Sequence, residues 1–440
     1  MRRKSAALLA AMAVVVAGAL GACASSETPT QQTPAQGASS AGGLTGTIKV
    51  LTHRTDLDQS GTLAAYSEAF KAVHPGVTVT WESITAYDDE VSVRLSTGDF
   101  GDVLSIPNGV TNAQLSQFFE PFGAKAELGA TYRFLDQFSA DDKVYGIAQG
   151  GIATGVVYNK RIFEEAGVTT PPTTYEAFFA ALQAVKDKTK AIPLYTNYHD
   201  GWPLGDLNRN MGAATGNANA KNDMTTQDAP WAEGKDAFWL DSLLYDAVSK
   251  GLTEADPTTT NWEESKTLLG TGKVATLVLQ SWAISQMQEA ATGAGASADD
   301  IGFLPVPSAG ATPYAALIGD RYYAINAKSE NKEAAKAFVE WMIASSGYDK
   351  DQGFVSALKS ASLPPNLAAL DAVGTEVFEP APAPAGKEGL FDKIDTAAEI
   401  GWSAATYRTN LVDEARKGTP KADAFAALNA KWAAGLAAAG

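Results

Sequence analysis

Several side chains able to hold hydroxyl pairs or anions fall where strands should begin or end. His53 and Arg54 follow the run Thr47–Leu51, Asn108 follows Asp102–Ile106, and Asp320–Arg321 precede Tyr322–Ile325. An arginine presents a planar fork of donors and a carboxylate a pair of acceptors, so either can bind vicinal hydroxyls. In open α/β sheets, ligands sit outside the strand ends. The same residues also suit plainer roles: His53, Arg54 and Asn108 in solvated loops, Asp320–Arg321 in a salt bridge between two bodies. A further concentration is Asn197-Tyr198-His199-Asp200-Gly201-Trp202-Pro203-Leu204, too polar and aromatic for a core. There Asp200 and Trp202 read as pocket residues, and His199 either joins them or fills the loop.

Catalytic and cofactor chemistry finds little support. The sequence has no G-x-S-x-G, H-E-x-x-H or P-loop. A glycosidase needs two carboxylates about 5–10 Å apart, and among 50 acidic residues such pairs arise by chance without marking a motif. The three histidines, 53, 74 and 199, lack zinc-ligand spacing. We therefore expect no enzyme activity, no cofactor and no metal. A net charge of -16 makes nucleic acid a poor partner. The single cysteine, Cys23, forms no internal disulfide.

The elements that must position these residues follow from periodicity. Gly46 opens a β-rich run; Leu63, Tyr66, Phe70 and Val73 recur at helical spacing; His74-Pro75-Gly76 stops that helix. Val77, Val79 and Trp81 alternate as a second strand, 87–97 reads as a helix and 102–106 as a third strand. This βαβαβ order predicts a parallel sheet flanked by helices. Downstream, Val144–Val157 is β-rich around Gly150-Gly151, where a bend, a bulge or a close ligand is expected. A helix over 173–189 opens with a Thr173/Glu176 capping box. Strands are expected at 273–279, 301–306 and 322–325, helices after Trp282 and over 331–343, a Pro/Ala-rich loop at 379–387, and helices to the end.

At the N-terminus, Arg2-Arg3-Lys4 precedes an uncharged stretch of 17 residues, Ala6–Ala22. That is short of the ~20 that span a bilayer comfortably and fits a secretory signal. Leu20-Gly21-Ala22-Cys23 resembles the bacterial lipobox, which implies cleavage after residue 22 and lipidation of Cys23. Two acyl chains suffice for durable anchoring. Residues 23–43, rich in Ala, Ser, Thr, Gln, Pro and Gly, then read as a tether.

The body resembles the carbohydrate-binding family of ABC-importer solute receptors, which includes maltose-binding protein. The motifs are Tyr158-Asn159-Lys160, Phe163-Glu164, Ala166-Gly167-Val168, Pro171-Pro172 and Thr174-Tyr175-Glu176; then Gly272–Ala275 running to Ser281-Trp282; then Ile301–Pro307, Gly319, Ala324-Ile325-Asn326 and a helix with Ala334-Ala335, Phe338 and Trp341. The resemblance implies a two-lobed periplasmic-binding-protein-like α/β fold, each lobe a mainly parallel sheet flanked by helices. It implies a first lobe from 44–150 plus 309–345 and a second from 151–308 plus 346–440, joined by crossing hinge strands near Gln149–Ile152 and Pro305–Ser308. The ligand would lie between the lobes, captured by hinge closure and passed to a permease. The same resemblance makes Trp282 a stacking ring, gives Trp402 a similar role, places Gln149 beside the cleft and supports Asp200 and Trp202; Trp262 reads mainly as packing. We thus expect a lipid-anchored monomer on the outer face of the cytoplasmic membrane, binding carbohydrate. Open alternatives are another solute on the same fold (a glycerophosphodiester, sugar phosphate, polyamine or amino acid), a lipoprotein sensor or adhesin, and a secreted glycosidase. His53, Arg54 and Arg321 would suit an anionic group.

Overall fold

The structure is a computed structural model that describes residues 43–439; the expected signal, Cys23 and nearly all of the tether lie outside them. Along the chain run β1 (Gly46–Thr52), α1 (Thr62–Val73), β2 (Val77–Ser83), α2 (Tyr87–Thr97), β3 (Val103–Ser105), β4 (Ile147–Ala153) and β5 (Val156–Asn159). There follow α3 (Tyr175–Lys188), β6 (Ile192–Leu194), α4 (Trp202–Asp206), α5 (Asp236–Ser249), α6 (Trp262–Gly270), β7 (Val274–Val278) and α7 (Ala283–Gly293). Last come β8 (Ile301–Leu304), β9 (Tyr314–Asn326), α8 (Lys332–Ala344), β10 (Glu376–Phe378), α9 (Leu390–Ala398), α10 (Ala405–Lys417) and α11 (Lys421–Ala439).

The first sheet has the order β10-β9-β3-β1-β2, with β4 and the short strand Phe119–Glu120 also pairing with β9. β1 pairs in parallel with β2 and β3, aligning Val50 with Trp81 and Val103. Alternation explains the start of β1: Ile48 and Val50 are buried while Thr47 and Lys49 point outward. Leu63, Tyr66 and Phe70 of α1 cover the sheet's face. The expected βαβαβ unit is therefore present, with α2 at the anticipated residues.

The two-lobed α/β class holds, but the sheets are not mainly parallel: the first has three parallel and three antiparallel pairings, and the departure is larger in the second lobe. Its four strands run β6-β7-β5-β8, and only β6/β7 is parallel. β5 runs antiparallel to both of its partners, β7 and β8. β9 is likewise longer than the four residues expected: it spans 13 residues and pairs antiparallel with β3 and β4.

The chain passes from β4 of the first sheet to β5 of the second through Thr154-Gly155, and returns between Leu304 and Tyr314. The glycines of β4 answer to packing. A Cβ on Gly150 would lie 2.7 Å from the Phe354 Cβ, and one on Gly151 would collide with the Phe134 ring. Gly151→Ala should therefore destabilise the body by about 1–3 kcal/mol through overpacking, seen as a lower Tm in a thermal melt.

Two expected boundaries move. The cap of α3 is Thr174, whose hydroxyl accepts from the Ala177 N–H; the Thr173 carbonyl is occupied by the Ser308 N–H. Residues just past 346 pack on the first lobe rather than the second. Tyr348 accepts from Arg54, Tyr66 donates to Asp351, and Gly151 pairs with Val355.

Candidate functional site

Three tryptophans of the second lobe form a cluster. The Trp202 and Trp262 rings lie edge to face with centroids 5.0 Å apart, Trp202 and Trp282 at 6.0 Å, and Trp262 and Trp282 at 5.8 Å. Each stands at a helix start: Trp202 opens α4, Trp262 opens α6 and Trp282 is the residue before α7. Trp202 is 38% exposed, unusual for an indole with two aromatic neighbours.

Backbone contacts hold the rings in place. Asp200 accepts from the Trp262 N–H, and Asn261 caps α6 by accepting from the Glu264 N–H at 2.9 Å. The Trp282 indole N–H donates to Gln280 Oε1 at 3.0 Å, and the Gln280 amide donates to the Asp206 carbonyl. The Ser281 N–H bonds the Ala153 carbonyl, and the Ala153 N–H returns a bond to Ser281 Oγ at 3.0 Å. Trp282 is thus tied to the strand that crosses between lobes. Asp200 positions Trp262, and the exposed His199 ring lies beside Asp200 with Nδ1 at 3.3 Å.

The first lobe contributes a polar network. Arg321 grips Asp88 with both terminal nitrogens, at 2.8 and 3.0 Å. Asn108 adds its backbone N–H at 2.9 Å and its side-chain amide at 3.0 Å, filling the same carboxylate. Burial would raise the Asp88 pKa, but these donors and the nearby positive charge outweigh it and hold the carboxyl below its ordinary range. Arg321 takes φ +44 inside β9, a left-handed conformation that interrupts pairing opposite Gln149. The Gln149 amide is buried and donates to Ser105 Oγ. Arg54 binds Asp56 at 2.9 and 2.6 Å and donates to the Tyr348 hydroxyl.

His53 packs edge-on to Tyr87, and its Nδ1 is buried with no hydrogen-bond partner. Burial first, then the charges of Arg321 and Arg54, lower its pKa from 6.5 to about 4. Between those values the unfolded chain binds a proton that the folded one refuses. Stability is therefore full above pH 6.5 and falls as pH drops toward 4, by on the order of 2 kcal/mol given partial exposure. Thermal melts from pH 7 to 4.5 should show this loss, and His53→Asn should remove it. An unchanged slope in the variant would count against the assignment.

Asp320 lies beside Arg321, and its burial raises its pKa against the opposing charges of Arg321, of Arg209 in the second lobe and of Arg54. Arg209 bonds Asp206 at 2.7 Å, and Asp206 ends the helix that Trp202 opens. The two residue groups thus approach each other across the lobes.

Most of the candidates gather in these two groups: His53, Arg54, Asn108, Gln149, Asp320 and Arg321 in one, His199, Asp200, Trp202 and Trp282 in the other. Trp402 does not join them. It is 2% exposed in the second lobe's own core, stacked on Tyr407 at 5.7 Å with the Arg408 guanidinium 5.0 Å from its ring. The cause is the fully buried Arg408–Asp241 pair, which draws α10 against α5 and takes Trp402 inward. Trp262, expected mainly as packing, does pack against the core and also completes the tryptophan cluster; its signal was the Asn261 cap, which marks a helix start like those of the other two rings. Asp88 was hidden among the acidic residues that open α2, Asp88, Asp89 and Glu90.

An aromatic cluster on one lobe and a polar network on the other fit the arrangement of a two-lobed solute receptor. The chain belongs to the bacterial extracellular solute-binding protein family, whose model matches residues 55–348, so it works outside the cytoplasm. It is 33% identical to an ABC-transporter binding protein of Bifidobacterium animalis subsp. lactis solved with mannobiose, covering 90% of this chain and 95% of that one at a TM-score of 0.76. A manno-oligosaccharide specific solute binding protein of the same organism, solved with mannotriose, is 32% identical with the same coverage and a TM-score of 0.76. The multiple sugar-binding protein of Streptococcus mutans is 26% identical over 181 residues, 40% of this chain but only 42% of that protein.

Proposed function

We propose that this protein is the substrate-binding component of an ABC importer that captures a short oligosaccharide, with manno-oligosaccharides the first class to test. The observation that carries the proposal is the Trp202–Trp262–Trp282 cluster, two half-buried rings with the exposed Trp202 above the core they pack on. Indole faces cover the C–H faces of pyranose rings, and fixed polar groups such as Asp320 and Arg321 read hydroxyls. Likeness to two proteins solved with mannobiose and mannotriose supports the choice of sugar. The protein acts by binding and not by catalysis. Closure of the lobes around the crossing segments brings both groups onto the ligand, and a ligand that touches both lobes stabilises the closed form. The body acts as a monomer, held at the outer face of the cytoplasmic membrane by lipid on Cys23 and delivering its sugar to the permease.

Isothermal titration of residues 44–440 with mannobiose, mannotriose and a panel of other neutral oligosaccharides tests this. Saturable binding of one of them, with a Tm rise at about 100-fold its Kd reflecting ~2.7 kcal/mol, is the expected result. Binding only of an amino acid or polyamine would keep the fold and overturn the substrate. Incubation without loss of the sugar tests the absence of catalysis.

A further inference from the structure

We infer that the site selects electrically neutral oligosaccharides and rejects acidic ones, because its arginines are already matched to carboxylates of their own lobes while Asp320 is not. The inference rests on the carbohydrate proposal and adds a charge class to it.

The bonds make the case residue by residue. Arg54 is held by Asp56 through two bonds, 2.9 and 2.6 Å. Arg321 is held by Asp88 through two more, and Asn108 occupies the positions on Asp88 that Arg321 leaves. Arg209 is held by Asp206 at 2.7 Å, and Lys266, 5.0 Å from the Trp262 ring, is held by Glu263 at 2.8 Å. His53 is uncharged at neutral pH, since its pKa is lowered to about 4. Asp320, by contrast, makes no ion pair within 4.0 Å among the described residues.

A uronate or phosphate entering here must displace a carboxylate from a bidentate arginine or remain desolvated near Asp320. Either event costs more than the new contact returns, since a charge removed from water needs a partner of its own. A hydroxyl makes no such demand. It donates to Asp320 and accepts from the donors that surround it. The positive residues that might suggest an anionic ligand in the sequence therefore point the other way once their partners are seen.

Mannotriose and tri-mannuronate are a matched pair of probes, with the same rings except that C6 is a carboxylate in the second. Titration of the full chain in 0.15 M salt, a condition that screens the long-range effect of the protein's net charge to about 8 Å, should show tri-mannuronate at least ~100-fold weaker. Asp88→Asn frees Arg321, and Asp56→Asn frees Arg54; in a variant that stays folded, the preference for the neutral sugar should shrink at least ~10-fold. Tri-mannuronate binding as well as mannotriose to the natural chain would overturn this inference and leave the carbohydrate proposal standing. An unaltered preference in both folded variants would overturn the internal-pairing account. Binding of no oligosaccharide, neutral or acidic, would instead bring down the carbohydrate proposal and this inference with it.

Discussion

Replacing Trp282 with alanine is expected to raise the Kd for the bound oligosaccharide by ~30-fold or more, a loss of about 2 kcal/mol. The ring is half-buried, fixed by its bond to Gln280 and flanked by Trp202 and Trp262. Under the proposed function its removal takes away one face for the sugar and also the support for the two other rings. Rigid aromatic anchors of this kind lose little conformational entropy when they bind, so their deletion is felt almost in full. Trp202→Ala removes the most exposed ring with less structural cost and should weaken binding in the same direction. Titration calorimetry at a temperature well below each variant's Tm separates lost affinity from lost fold. A Trp282→Ala protein that melts normally and binds as before would remove the cluster from the site.

A loss of stability far larger than any loss of affinity is expected from Arg408→Met. Arg408 and Asp241 are both fully buried, with Arg408 Nε 2.9 Å from Asp241 Oδ1. The other carboxylate oxygen accepts from the Trp231 indole at 2.6 Å and from the Tyr407 hydroxyl. Methionine fills part of the space but leaves Asp241 without a cation. Breaking one side of a buried pair costs about 3–5 kcal/mol, which for a chain of this size lowers Tm by on the order of 5 °C or more. Arg408 Nη1 also donates to the Leu204 and Gly205 carbonyls of the helix that Trp202 opens, so sugar affinity measured in the cold should fall as well, but by less than ~10-fold. A Tm within a degree of the natural protein would mean that the surrounding aromatics alone hold α10 to α5.

These effects also mark where sequence was readable. β1, α1, β2 and α2 are amphipathic elements with clear stops, such as His74-Pro75-Gly76 and Gly98, so their periodicity and their parallel pairing were legible. The antiparallel course of β5 was not, because a direct passage through Thr154-Gly155 and a crossover through a helix leave similar apolar runs. Nor could spacing divide the tryptophans between core and surface. Trp402 and Trp262 are both rings beside polar residues; what separates them is that Arg408 has Asp241 as a partner 167 positions away. Long-range partners decided the polar residues too, as with Asp88, which finds Arg321 across 233 positions.

The aromatic cluster has an optical consequence. Three of the nine tryptophans in the chain have ring centroids within 6.0 Å of one another. Excitation absorbed by any one of them is shared among all three, so their emission reports on the most exposed member, Trp202. A sugar that covers that ring strips water from the whole trio at once. The intrinsic fluorescence of the unlabelled protein should then shift to shorter wavelength on loading, allowing capture and release to be timed by light alone.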